Sequence, residues 1–253
     1  SLYFLETRNA IAKNLASNTY WGLYFESMKN LLSLIFLFTL NLNAVEVVLQ
    51  DPQLNEPAPK FSAIDSNGKT ISLDDFKGQP VILEWTNHEC PYVVRHYKED
   101  NMQKVQRIAK AEGYVWLSVI SSAPGEQGYV SADKANELTI SRNAANDYVL
   151  LDESGALGMQ YGAKTTPHMY MIDAEGILRF KGGIDDIGGG AKFFRASLSD
   201  AVNYIAMNDT PVSKNQKPNI QESVPYGCSV KYNYDWKIYF DHSLSGNESL
   251  LNV

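Results

Sequence analysis

This chain carries two cysteines far apart in sequence, Cys90 and Cys228. Cys90 is followed at once by Pro91, and proline suits the first position of a helix. A cysteine at the threshold of a helix meets unpaired backbone N–H groups and a partial positive charge. Both favour thiolate over thiol, and the thiolate is the nucleophile. The placement therefore predicts a reactive sulfur at Cys90. His88, Arg95 and His96 lie close by and add positive charge, or are ordinary polar residues around a turn. Arg142 is a further basic candidate to face the sulfur, or a solvated residue at a helix end. Cys228 sits in the island Pro225-Tyr226-Gly227-Cys228-Ser229-Val230-Lys231-Tyr232. A thiol there can resolve an oxidised Cys90 by exchange, or pack as a structural thiol.

Two cysteines are too few for a disulfide scaffold, but in an oxidising compartment a pair can bond. Residues 28–44 point to that compartment. Met28-Lys29-Asn30 gives a positive start, Leu31 to Leu40 is apolar apart from Ser33 and Thr39, and Ala44 is small enough for a cleavage position. This order predicts a secretory signal and an exported, periplasmic protein that begins near Val45. The run is short for a membrane span, and the alternative is an uncleaved anchor. Because a signal belongs at an N-terminus, residues 1–27 read as a leader foreign to the native chain. The net charge is −7 with no Lys/Arg cluster, which argues against a nucleic-acid partner. With 44% hydrophobic residues the chain can build a core.

The elements that must position the cysteines emerge from pattern. Strand-like runs at 61–64 and 69–73 flank an Asp65-Ser66-Asn67-Gly68-Lys69 turn. Pro80 to Thr86 contains an apolar run suited to a buried central strand. Residues 91–112 read as one helix with apolar residues at helical spacing and Gly113 at its exit. Val115 to Ser121 is a second strand, and Ser131 caps a helix running to about Asn143. Tyr148 to Asp152 is a third strand, before a short helix ending near Gly162. Met169–Asp173 and Ile177–Lys181 form a hairpin around Ala174-Glu175-Gly176. A last helix puts Leu198, Ala201, Val202 and Ile205 on one face. The expected fold is α/β, a mixed central sheet with helices on both faces. The expected domain covers 52–208, and the Pro-, Lys-, Asn- and Gln-rich residues 209–253 form a flexible tail carrying Cys228.

A resemblance sharpens this. Ala58-Pro59-Lys60-Phe61, Phe76-Lys77-Gly78-x-Pro80-Val81, Asn87-His88-Glu89-Cys90-Pro91-Tyr92-Val93, Tyr161-Gly162-Ala163-x-x-Thr166-Pro167 and Gly182-Gly183-Ile184-Asp185-Asp186 are similar to the thioredoxin superfamily. Within it they resemble the peroxiredoxin-like branch of the alkyl hydroperoxide reductase/thiol-specific antioxidant group. The resemblance implies a thioredoxin-like fold, Cys90 as the reactive cysteine and Pro167 as a cis-proline beside it. Thr166 would then offer its backbone to an extended thiol substrate, and the segment around Cys228 would supply a resolving cysteine. The implied activity is thiol-dependent reduction of peroxides or exchange of disulfides. Its partners would be that substrate and a thiol reductant, thioredoxin-like or small, with no cofactor and no metal. Three positions depart from the pattern. Val93 stands where a local Cys-x-x-Cys pair needs its second cysteine. Asn87 and Leu83 replace the Thr/Ser and Pro of a typical peroxide site, and Thr86 lies one residue off. The alternative is a binding module of the same fold that holds a metal or protein partner through Cys90 with His88 or His96.

Overall fold

Buried apolar runs set the middle of the sheet. In the computed structural model, which describes residues 50–232, β3 (Val81–Trp85) is buried along its whole length. A strand covered on both faces needs such an uninterrupted run. It pairs in parallel with β4 (Val115–Ile120) and antiparallel with β7 (His168–Ile172). β4 pairs in parallel with β5 (Tyr148–Leu151), and β7 turns back into β8 (Leu178–Gly182). A hairpin of β1 (Ser62–Asp65) and β2 (Thr70–Ser72) joins through β5. The seven strands run in the order β2-β1-β5-β4-β3-β7-β8.

The helices partly depart from expectation. Residues 91–112 are two helices, α1 (Pro91–Lys98) and α2 (Asn101–Ala111). Asp100 between them adopts a left-handed φ of 57°, which no α-helix can accommodate. The apolar rhythm runs straight through the break, with Val93, His96 and Tyr97 buried before it and Met102, Val105 and Ala109 after it. α3 (Ala132–Ser141) starts where expected, with the Ser131 side chain accepting the Lys134 N–H. α4 (Ala156–Tyr161) ends at Gly162, and α5 (Ala191–Arg195) comes after β8. The last helix begins later than expected. Leu198–Asp200 is a 3-10 turn, Val202 is 46% exposed, and Asn203 caps α6 (Tyr204–Ser213) by accepting the Ile205 and Ala206 N–H groups. α6 runs on through Asn208, where the sequence pattern fades.

Alternation along the strands splits the core into layers. Ile82, Trp116, Met169, Met171 and Phe180 pack with Val93, Met102, Val105 and Ile205 from α1, α2 and α6. Leu83, Trp85, Leu117, Val119 and Tyr170 pack on the other side with Leu157 and Tyr161 of α4 and with Phe61 and Ile71 of the hairpin. A mixed sheet covered on both faces in this order is the thioredoxin-like architecture that the resemblance implies.

After α6 the chain comes back to the sheet. The Lys181 N–H donates to Gln221 O at 3.0 Å and the Ser223 N–H donates to Lys181 O at 3.2 Å, so the segment lies along β8. Tyr226, Val230 and Tyr232 are buried. β9 (Cys228–Ser229) then pairs antiparallel with β6 (Thr165–Thr166). The flexible tail expected from composition is therefore corrected as far as residue 232. Its aromatic island buries enough surface to order it. The leader and signal readings at 1–27 and 28–44 fall outside the described residues.

Candidate redox site

The end of β3 delivers the chain to Cys90. Asn87 shapes the turn: its carbonyl accepts the Cys90 N–H at 3.1 Å and its side chain accepts the Glu89 N–H at 2.9 Å. Cys90 is the N-cap of α1 and is fully buried. The Thr166–Pro167 bond is cis. Thr166 O accepts the Cys90 thiol at 3.1 Å. From the other side, the Cys228 N–H donates to Cys90 Sγ at 3.4 Å. The sulfur thus has an acceptor for its proton as a thiol and a backbone donor for its lone pair.

Strand pairing fixes the second cysteine. Cys228 lies opposite Thr166 and Ser229 opposite Thr165. The Thr166 hydroxyl donates to Cys228 O at 3.4 Å, and the Val230 N–H donates to Lys164 O at 3.1 Å. Gly227 has a φ of 133°, and a Cβ there would overlap Thr166 O. Burial and the adjoining Cys90 sulfur push the Cys228 thiol up to about 12. Cys228 therefore stays protonated at neutral pH. Cys90, Thr166, Pro167 and Cys228, the four residues singled out from sequence, meet at one place.

The basic side chains do not. Arg95 turns to α5, where it donates to Phe193 O and to Ala196 O (2.7 Å), with Glu99 2.6 Å away. Arg142 donates to His88 O at 3.0 Å and stacks 4.9 Å from the Tyr97 ring centroid. It lines a cavity of about 40 Å³ with Thr86, His88, Tyr97 and Ser118, which Cys90 does not line. His88 Nδ1 is buried without a partner among the described residues. His96 is fully buried with Asp185 and Tyr226. Open carbonyls at helix and turn ends attract both guanidinium groups. Among the described residues, no three His, Cys, Asp or Glu side chains cluster so as to hold a metal.

Two features escaped the sequence reading. Glu84 is fully buried in β3 and accepts from Tyr97, Trp116 and Ser118, with Gln106 at 3.4 Å. Burial raises its carboxyl above the ordinary range. The signal available was a single acidic residue inside an apolar strand. Tyr226 is the other: its hydroxyl donates to Asp185 Oδ1 at 2.5 Å. No periodicity marks a tyrosine in an irregular segment.

Comparisons with known proteins bear on the family and the fold. The model of the AhpC/TSA family matches residues 54–181. Methylamine utilization protein MauD of Paracoccus versutus is 26% identical over 131 residues, 52% of this chain; the chain spans 59% of the length of that relative. A crystal structure of a hypothetical protein from Sinorhizobium meliloti 1021 superposes with a TM-score of 0.60 at 19% identity, covering 73% of this chain and 97% of that one. An uncharacterized conserved protein from Geobacillus kaustophilus gives 0.60 at 18% identity, covering 72% and 93%. At these identities the two structures share the fold.

Proposed function

This chain belongs to the AhpC/TSA family, and from that membership we propose that it is an exported thiol–disulfide oxidoreductase with Cys90 as attacking sulfur and Cys228 as resolving partner. The observation that carries the reading is the Cys228 N–H on Cys90 Sγ, with β9 laid across Thr166. The Cys90 thiolate attacks one sulfur of an external disulfide. A Cys90 mixed disulfide forms, and the other half leaves as a thiolate that takes up a proton. The Cys228 thiol then loses its proton and attacks the Cys90 sulfur. The remaining half of the substrate leaves as a thiol and the Cys90–Cys228 disulfide is formed. An external thiol reductant, thioredoxin-like or small, resets the pair.

Peroxide enters the same scheme through a Cys90 sulfenic acid, which Cys228 condenses with release of water. Disulfide exchange is favoured because Arg95 and Arg142 are engaged elsewhere, so neither serves the oxygen leaving group of a peroxide. The signal-like residues 28–44 support work in an oxidising compartment. The test is non-reducing peptide mapping after one equivalent of glutathione disulfide or hydrogen peroxide, beside Cys90→Ser and Cys228→Ser. A linked Cys90–Cys228 peptide is expected. Cys90 remaining reduced with both oxidants overturns the reading in favour of a binding module.

A further inference from the structure

One buried polar cluster has no part in the chemistry above, yet it ties the two cysteines' elements together. Asp185 lies just beyond β8, His96 is on α1 and Tyr226 is on the returning segment. The Tyr226 hydroxyl donates to Asp185 Oδ1 at 2.5 Å, and the Ile187 N–H donates to the same oxygen at 3.0 Å. Asp185 Oδ2 is buried with no hydrogen-bond partner among the described residues and lies 3.9 Å from His96 Nε2. His96 Nε2 is 3.5 Å from the Tyr226 hydroxyl, and His96 Nδ1 is 2.8 Å from Asn101 Nδ2. An amide donor on Nδ1 assigns the ring proton to Nε2, facing Asp185 and Tyr226. The Tyr226 ring rests against Tyr92 and Phe193, at 5.8 Å and 5.5 Å between centroids.

The connectivity gives the cluster its meaning. His96 belongs to the helix that Cys90 caps. Tyr226 is separated from Cys228 only by Gly227, which has no side chain to hold its own place. The β6 pairing takes in only Cys228 and Ser229, and the next aromatic anchor beyond it is Tyr232, four residues on from Cys228. We infer that Tyr226, gripped by Asp185 and His96, is the positioning residue that holds Cys228 against Cys90. This rests on the redox pair proposed above. It assigns to Tyr226 no contact with substrate, only control over how often the Cys228 sulfur stands within reach.

The test times resolution directly. The reduced full chain is mixed with glutathione disulfide, and the Cys90–glutathione mixed disulfide is trapped by acid quench and timed by mass spectrometry. The balanced reaction consumes two protein thiols and one glutathione disulfide, and yields one Cys90–Cys228 disulfide and two glutathione thiols. Tyr226→Phe keeps the ring and removes the hydroxyl; Asp185→Asn keeps the shape and removes the charge. In both, resolution is expected to slow about tenfold. The glutathione equilibrium should move about tenfold toward the dithiol, or about 30 mV for a two-electron couple. The first attack, measured in a Cys228→Ser background, should be no slower in Tyr226→Phe. A residue that only stabilised the fold would leave the resolution rate of the folded protein unmoved, and that result overturns the inference. A wild-type mixed disulfide that never resolves removes the redox pair itself, and the positioning role with it.

Discussion

A methyl group at position 227 would be driven into Thr166 O, at a φ that side chains rarely adopt. Gly227→Ala is therefore expected to lift β9 from β6 while leaving the sheet intact. The measurable result is at least tenfold slower Cys90–Cys228 closure, with Cys90 alkylated faster by iodoacetamide. The same scale sets the response to acid. Burial holds His96 and His168 neutral, each with a pKa pushed down to about 3, against about 6.5 unfolded. The unfolded chain binds these protons first, so stability is lost as pH falls through 6.5 toward about 3. Each histidine costs up to about 2 kcal/mol at pH 5. Urea unfolding at pH 7 and pH 5 should show the loss, and His168→Gln should flatten it. Cys90 was legible from its place before Pro91 and Cys228 from its island, whereas Thr166 and Pro167 were marked only by the family resemblance. The directions of Arg95 and Arg142 were not, since long side chains go to whichever carbonyls the tertiary fold leaves open.

Among the elements, the strands were the most readable. The run at 81–85 is apolar except for Glu84, and the turn at 174–176 admits little but a hairpin. The pattern at 91–112 predicts one helix where two stand, for a definite reason. An amphipathic rhythm records which residues face the core, and the face continues across Asp100 although the helix does not. Likewise Leu198 and Ile205 are both buried, but a 3-10 turn and an exposed Val202 separate them. Among the described residues the Asp100 side chain makes only an exposed 3.5 Å pair with Arg107, so it contributes little. Asp100→Gly removes the left-handed strain and is expected to stabilise by about 0.5–1 kcal/mol. A rise in thermal midpoint with unchanged disulfide exchange is the result to look for.

Over the whole molecule, the returning segment is a structural part of the fold. Tyr232 is buried against α4, where its ring lies over Gly155 and Gly158, and its hydroxyl donates to Ala163 O at 2.7 Å. Tyr232→Ala is expected to cost about 3 kcal/mol, as for other buried aromatic truncations, read as a lower urea midpoint. Cys90 should become easier to alkylate in the same variant, because β9 is tethered between Tyr226 and Tyr232. Composition concealed this. Lys214 to Lys217 look like a linker, and the two tyrosines that order residues 226–232 have no repeat by which to be recognised.

The pairing of β9 with β6 also sets a speed limit. On the proposed cycle, the backbone of Thr165 and Thr166 is the place where an extended partner chain would lie, and the protein's own residues 228 and 229 already fill it. A macromolecular partner must wait for the whole strand to leave, whereas a small disulfide needs only the smaller and more frequent opening that uncovers the buried Cys90 sulfur. With rising partner concentration the observed rate for a protein disulfide should therefore bend to a plateau set by strand departure. The rate for glutathione disulfide should keep climbing in proportion over the same range. In Gly227→Ala the plateau should rise, and stopped-flow titration of the two oxidants would record the difference.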